Sequence, residues 1–262
     1  MAPGSYTRYV AIGDSTTEGL DDPLPSGGYR GWADRLAERL AGIDPIIEYA
    51  NLAVRGRLAA QVRDQQLEQA VALEPDLASV VAGLNDALRP GFDVDRVAAE
   101  IELMQSALSD AGATVLTFTM ADPTPVIPIT RPLRPRLLAF NDALREVADR
   151  TGAVLVDFAR HPVTSDPRLW SVDRLHANSA GHERIAAAAA HALGLPGTDE
   201  SWAEPLPPPP SRSRIEVVGG ELGWAGRYLV PWLGRRIRGR SSGDGIEAKR
   251  PAPAPVSAGS GE

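Results

Sequence analysis

Five short apolar runs, at residues 7–12 (TRYVAI), 46–52 (IIEYANL), 77–82 (LASVVA), 113–119 (ATVLTFT) and 153–158 (AVLVDF), constrain this chain more than any other feature. They are too continuous for strands with one wet face, so they read as strands covered on both sides. Amphipathic helical patterns fill the gaps between them. Trp32, Leu36 and Leu40 recur on one face, as do Leu58, Val62 and Leu67, and then Val97, Ile101, Met104 and Leu108 before a closing Gly112. Two further helical stretches, 133–152 and 178–194, complete five β-α units. Such alternation predicts a parallel five-stranded sheet with helices on both faces.

Composition narrows the chemistry. With 43% apolar residues the 262-residue chain can bury a core, and no apolar stretch approaches the roughly 20 residues that span a bilayer. The absence of cysteine excludes disulfides, thiolate nucleophiles and Cys-based metal sites, and fits a reducing compartment. MAPGSYTRYV lacks the basic, apolar and cleavage regions of an export signal, so a cytoplasmic location is expected. A net charge of −7, with no groove-sized basic stripe before residue 197, argues against a nucleic-acid partner.

A boundary is expected near residue 197. Gly and Pro make up 19 of the 65 residues from 198 to 262, against 29 of the preceding 197, and EPLPPPPSRS resembles a stiff polyproline linker. The expected organisation is one globular domain over 1–197 and a Pro/Gly-rich tail with a short amphipathic basic segment over 198–262. Yet Trp202, Trp224 and Trp232 lie in that tail, and Leu222, Ala225, Leu229, Leu233 and Ile237 fall at helix-like intervals beside Arg235, Arg236, Arg238 and Arg240. Either the segment lies on an anionic membrane surface, or its tryptophans dock back onto the domain, which is preferred because Pro231 interrupts a long interfacial helix.

Ligands in an open parallel sheet bind beyond the carboxyl ends of the strands, where strand order reverses. Ser15, in IGDSTTEG, stands at the end of the first run. The second run delivers NLAVRG, with Gly56 able to present a backbone N–H without a Cβ, and the third delivers GLND, with the Asn85 amide available to a developing oxyanion. Singly, each is also what a cap or turn uses. A serine nucleophile needs a base and an orienting carboxylate, and DRLHANSAGH carries Asp173 and His176 three apart before the last helix. Of the other histidines, His161 precedes a proline, His191 sits in an alanine-rich helix, and His182, the rival base, falls in the helix that Asn178 or Ser179 caps, where it packs or buttresses the site.

In that order the four segments resemble the sequence blocks of the SGNH hydrolases, the GDSL-type esterases and lipases, over roughly residues 7–194. The resemblance implies a three-layer α/β/α flavodoxin-like fold with a five-stranded parallel sheet. It also implies Ser15 as nucleophile, His176 as general base, Asp173 as its partner, and an oxyanion hole from the Ser15 N–H, the Gly56 N–H and the Asn85 side chain. Thr16 stands where leucine completes the family name. Arg55 and Arg57 flank Gly56 with two cations, and these with Asp86 and Trp170 are the expected substrate contacts. An α/β-hydrolase elbow is excluded, since Gly13 lies two before Ser15 but Thr17 two after.

The expected activity is cleavage of carboxylic esters or thioesters through an acyl-enzyme on Ser15. An acyltransferase or carbohydrate deacetylase using the same site is the alternative, and a non-catalytic binding module is the least favoured. The partner is a small-molecule ester, and the mechanism requires neither metal nor cofactor.

Overall fold

The computed structural model describes residues 6–208, 224, 226–227 and 242–258. Strands β1 (Arg8–Gly13), β2 (Glu48–Asn51), β3 (Leu77–Val81), β4 (Thr114–Phe118) and β5 (Val154–Val156) are parallel, as their apolar continuity predicts. The sheet order is β5-β4-β3-β1-β2-β6, so the chain reverses direction across the sheet beside β1.

The sixth strand corrects the five-stranded, wholly parallel expectation. Strand β6 (Arg250–Pro255, RPAPAP) runs antiparallel along the free edge of β2. Its physical reason lies in the alternation itself: Pro at every second position removes N–H donors from one side only, which suits an edge strand and masks it in a search for β-branched runs. These six residues of the 198–262 segment therefore belong to the sheet.

Successive strand residues separate into two cores. Tyr9, Ala11, Leu77, Val81, Leu116 and Phe118 face α2 (Gly31–Ile43) and α8 (Ser179–Ala192), while Val10, Ile12, Ala78, Val80 and Val115 face the opposite layer. That layer contains α6 (Val94–Asp110) and α7 (Arg134–Thr151). It also holds a helix made of α3 (Ala59–Val62), a π-helical turn (Arg63–Leu67) and α4 (Glu68–Ala72). Trp32, Leu36 and Leu40 are buried on α2, and Val97, Ile101, Met104 and Leu108 on α6, as their spacing predicts. Asp93 caps α6 by accepting from the Arg96 N–H, and the positive φ of Gly112 ends the segment.

Leu222, Ala225, Leu229, Trp232, Leu233, Ile237 and the Arg235–Arg240 cluster lie outside the described residues. Trp202 is buried and stacks edge-on against Phe158, with ring centroids 5.7 Å apart. Among the described residues no helix is long and apolar enough to cross a membrane.

Candidate active site

The end of β1 approaches β3 so closely that a Cβ on Gly13 would lie 2.4 Å from the Val81 carbonyl oxygen, a space only glycine fits. Asp14 then caps the short helix α1 (Ser15–Glu18), its carboxylate accepting from the Thr16 N–H, and Ser15 opens that helix nearly buried. The Gly13 backbone is clamped by Gln66, which donates to the Gly13 carbonyl at 2.9 Å and accepts from the Gly13 N–H at 2.8 Å. Asn51, at the tip of β2, donates to the Thr17 carbonyl at 2.8 Å. Neither residue was singled out by sequence reasoning; the π-helical turn that aims Gln66 at Gly13 has no signature in the periodicity.

Two more strand tips converge on this turn. Gly56 lies in the turn after β2 with φ +73°, a left-handed conformation that favours glycine. Asn85, in α5 (Leu84–Ala87) after β3, donates to Asp14 Oδ2 at 3.0 Å and to the Arg57 carbonyl at 3.1 Å, so one amide joins the ends of β1, β2 and β3.

The hairpin between Trp170 and Ala177 presents the dyad. It is closed by a bridge between those two residues and by the Ser171 N–H donating to the His176 carbonyl at 2.8 Å, with Arg174 at φ +63° in its tip. Asp173 Oδ1 accepts from the backbone N–H groups of Leu175 and His176, which aims Oδ2 at His176 Nδ1, 2.7 Å away. The α1 turn faces this hairpin, for Asp21 Oδ2 comes within 3.9 Å of the same Nδ1.

Electrostatics follow from this crowding. Burial opposes the charge on Asp173, but the His176 hydrogen bond and charge, with the two backbone donors, hold its carboxyl below the usual range. Burial likewise opposes a charged His176, yet Asp173, then Asp21 and Asp14, raise it above the ordinary histidine value. Burial lifts Asp14 to about 6 against the pull of the Thr16 N–H, His176 and Asn85. His182 is buried and pushed down to about 4, its Nδ1 accepting from the Trp32 N–H and its Nε2 donating to the Leu20 carbonyl at 2.9 Å. It is a neutral strut that fixes the turn behind Ser15.

The expected substrate contacts have other partners. Arg55 is paired with Glu18 on α1, which also accepts from the Arg55 N–H at 2.7 Å; this clamp joins the Ser15 helix to the Gly56 turn. Asp86 accepts from the Ala59 N–H at 3.0 Å and so ties α5 to the start of α3. Arg57 reaches the Gly243 carbonyl at 3.5 Å. Trp170 donates its indole N–H to the Thr164 carbonyl at 3.0 Å while its ring lines a cavity of about 120 Å³. The lining of that cavity includes Thr16, Leu84 and Leu175, chain neighbours of Ser15, Asn85 and His176, and is mostly apolar. Asp21, Asp173 and His176 are the one group among the described residues whose ligand atoms all lie within 4.8 Å of one another, but the Asp173 contact already engages His176 Nδ1.

Residues 11–184 match the model of the GDSL-like lipase/acylhydrolase family. The chain belongs to that family. As a GDSL-type hydrolase it acts on ester bonds. It is 29% identical to the GDSL lipase Rv0518 of Mycobacterium tuberculosis over 185 residues, 68% of this chain and 77% of the relative. Among solved structures, the hydrolase LAE5 from the metagenome of Lake Arreo, Spain, is 26% identical at a TM-score of 0.57, covering 72% of this chain and 95% of its own. Axe2, an acetylxylan esterase of Geobacillus stearothermophilus, shares the fold at a TM-score of 0.61 and 19% identity, over 76% of this chain and 100% of its own.

Proposed function

We propose that this GDSL-type hydrolase works by two-step acyl transfer on Ser15, with small-molecule esters of an apolar acyl group as substrates. Asp173 keeps the His176 proton on Nδ1, leaving Nε2 to take the proton of the Ser15 hydroxyl as its oxygen attacks the ester carbonyl. The resulting oxyanion takes hydrogen bonds from the Ser15 and Gly56 N–H groups and from the Asn85 amide, which gives up its bond to Asp14 or to the Arg57 carbonyl as the oxyanion forms, and its collapse releases the alcohol as His176 returns the proton. Water then repeats the cycle on the acyl-enzyme.

The observation that carries this reading is the 2.7 Å bond between Asp173 and His176 on a hairpin facing the Ser15 turn. The apolar cavity beginning beside these residues favours an acyl group larger than acetyl, and so an esterase over a sugar deacetylase. We assign catalysis to residues 1–197, braced by Trp202 and β6 from the following segment, so the unit to express is the full chain. An anionic net charge and the lack of cysteine favour a cytoplasmic enzyme without a nucleic-acid partner.

The test is labelling with a fluorophosphonate alongside hydrolysis of p-nitrophenyl esters from acetate to palmitate. The wild type turns over esters and gains one phosphonyl adduct on the Ser15 peptide, while Ser15→Ala does neither. Labelling at another serine overturns the assignment.

A further inference from the structure

We infer that Trp202, which lies beyond the part of the chain matching the family model, is the stop that sets acyl length in this enzyme; the inference rests on the esterase reading above. The cavity has an inner and an outer end. Its lining near the catalytic groups is Thr16, Leu84 and Leu175, next in sequence to Ser15, Asn85 and His176, and this is assigned as its outer end. It is also lined by Val81 and Phe118 of the sheet and, on helix α8, by Gly181 and by Ile185, which lies one turn or about 6 Å further along the axis from the His176 hairpin. Gly181 lets α8 pack directly on the turn before Trp170, since a Cβ there would lie 2.2 Å from the Leu169 carbonyl oxygen, and this contact closes one side of the cavity.

Trp202 lines the same cavity, and its anchoring beside Arg184 on α8, past Gly181, assigns it to the end away from Ser15. Three rings lead to it in sequence: Phe118 meets Phe158 edge-on at 5.0 Å, and Phe158 meets Trp202 edge-on at 5.7 Å. The indole is 8% exposed. Its backbone is fastened from both sides. Arg184 Nη1 donates to the Trp202 carbonyl at 2.6 Å and to the Glu204 carbonyl at 2.7 Å, Arg168 donates to the Pro207 carbonyl, and Asp199 caps the turn by accepting from the Ser201 N–H. These bonds fix the Trp202 backbone, and the ring itself is held by packing against Phe158 and His161 at 5.7 and 4.6 Å.

Size then gives the substrate class. A cavity of about 120 Å³ is close to the roughly 150 Å³ that holds one benzene ring, so the pocket takes an acyl chain of about six carbons. Within that length each added methylene should raise kcat/KM about fourfold, and beyond it the gain should stop.

The experiment compares wild type, Trp202→Ala, Trp202→Leu and Trp202→Phe on p-nitrophenyl esters from C2 to C14, with melting curves to confirm folding. The wild type and Trp202→Phe should rise to about C6 and fall beyond it, whereas Trp202→Ala and Trp202→Leu should keep rising to C10, a relative gain of tenfold or more at C10 over C4. Parallel profiles in all four folded proteins overturn the inference. A second arm measures calorimetric binding of 1-hexanol and 1-decanol to Ser15→Ala and to Ser15→Ala with Trp202→Leu. Hexanol alone should bind the first protein and both alcohols the second. If no ester is hydrolysed but the alcohols discriminate in this way, the esterase reading fails and the stop stands; if esters are hydrolysed and decanol binding ignores Trp202, the stop fails and the esterase reading stands.

Discussion

Gln66 holds the backbone of Gly13 by both of its polar groups, accepting from its N–H and donating to its carbonyl, from a π-helical turn on the opposite side of the sheet from α2 and α8. Gly13 is two residues before Ser15, so this buried amide fixes the start of the turn that presents the hydroxyl.

Replacing Gln66 by Ala orphans two buried backbone groups at about 1–3 kcal/mol each. The expected outcome is a loss of stability of that order in urea titration and a fall in kcat of about 10²-fold from displacement of Ser15. Wild-type kcat in a Gln66→Ala protein that is destabilised as expected would show that the turn holds itself.

Asn85→Ala should lower kcat by about 10²–10³, as loss of one oxyanion donor does, with a smaller change in KM. Because Asn85 also donates to Asp14 Oδ2, the variant should raise the Asp14 carboxyl further above its value of about 6. Steady-state kinetics check the first effect and NMR titration of the carboxyl the second.

In the proposed mechanism His176 is neutral when it accepts the Ser15 proton, and its pKa is raised chiefly by Asp173, with Asp21 and Asp14 adding to it. Activity should therefore appear only as pH rises through a value above the ordinary 6.5. Asp21→Asn removes one of the raising charges, so the acid limb of kcat/KM should move to lower pH. An unmoved limb would mean that Asp21 does not act on His176.

Gly243 packs against the Gly56 turn, where an added Cβ would lie 2.1 Å from the Arg55 carbonyl oxygen. Gly243→Ala must push the C-terminal segment or that turn aside, at about 1–3 kcal/mol of overpacking. Scanning calorimetry should show a drop of several degrees, at about 2–4 °C per kcal/mol for a chain of this size. An unchanged melting temperature would mean that residues 242–258 are not held against the turn.

Local sequence carried the parallel sheet, the placement of Ser15, Gly56 and Asn85 at three strand tips, and the Asp173–His176 pair. Strand burial shows as unbroken apolar runs, helix burial as spacing, and a carboxylate reaches a ring three residues away within one hairpin closed by its own backbone. The sixth strand stayed hidden because RPAPAP becomes a strand only when β2 offers an edge to its remaining N–H groups. Partner choice was equally out of reach. Arg55 and Asp86 look like crevice charges in the sequence, yet Glu18 and the Ala59 N–H claim them. Trp202, from a stretch whose composition reads as linker, lines the apolar cavity beside the site. Which buried group meets which is fixed by chain segments distant in sequence, and only the closed tertiary structure brings them within hydrogen-bonding or van der Waals range.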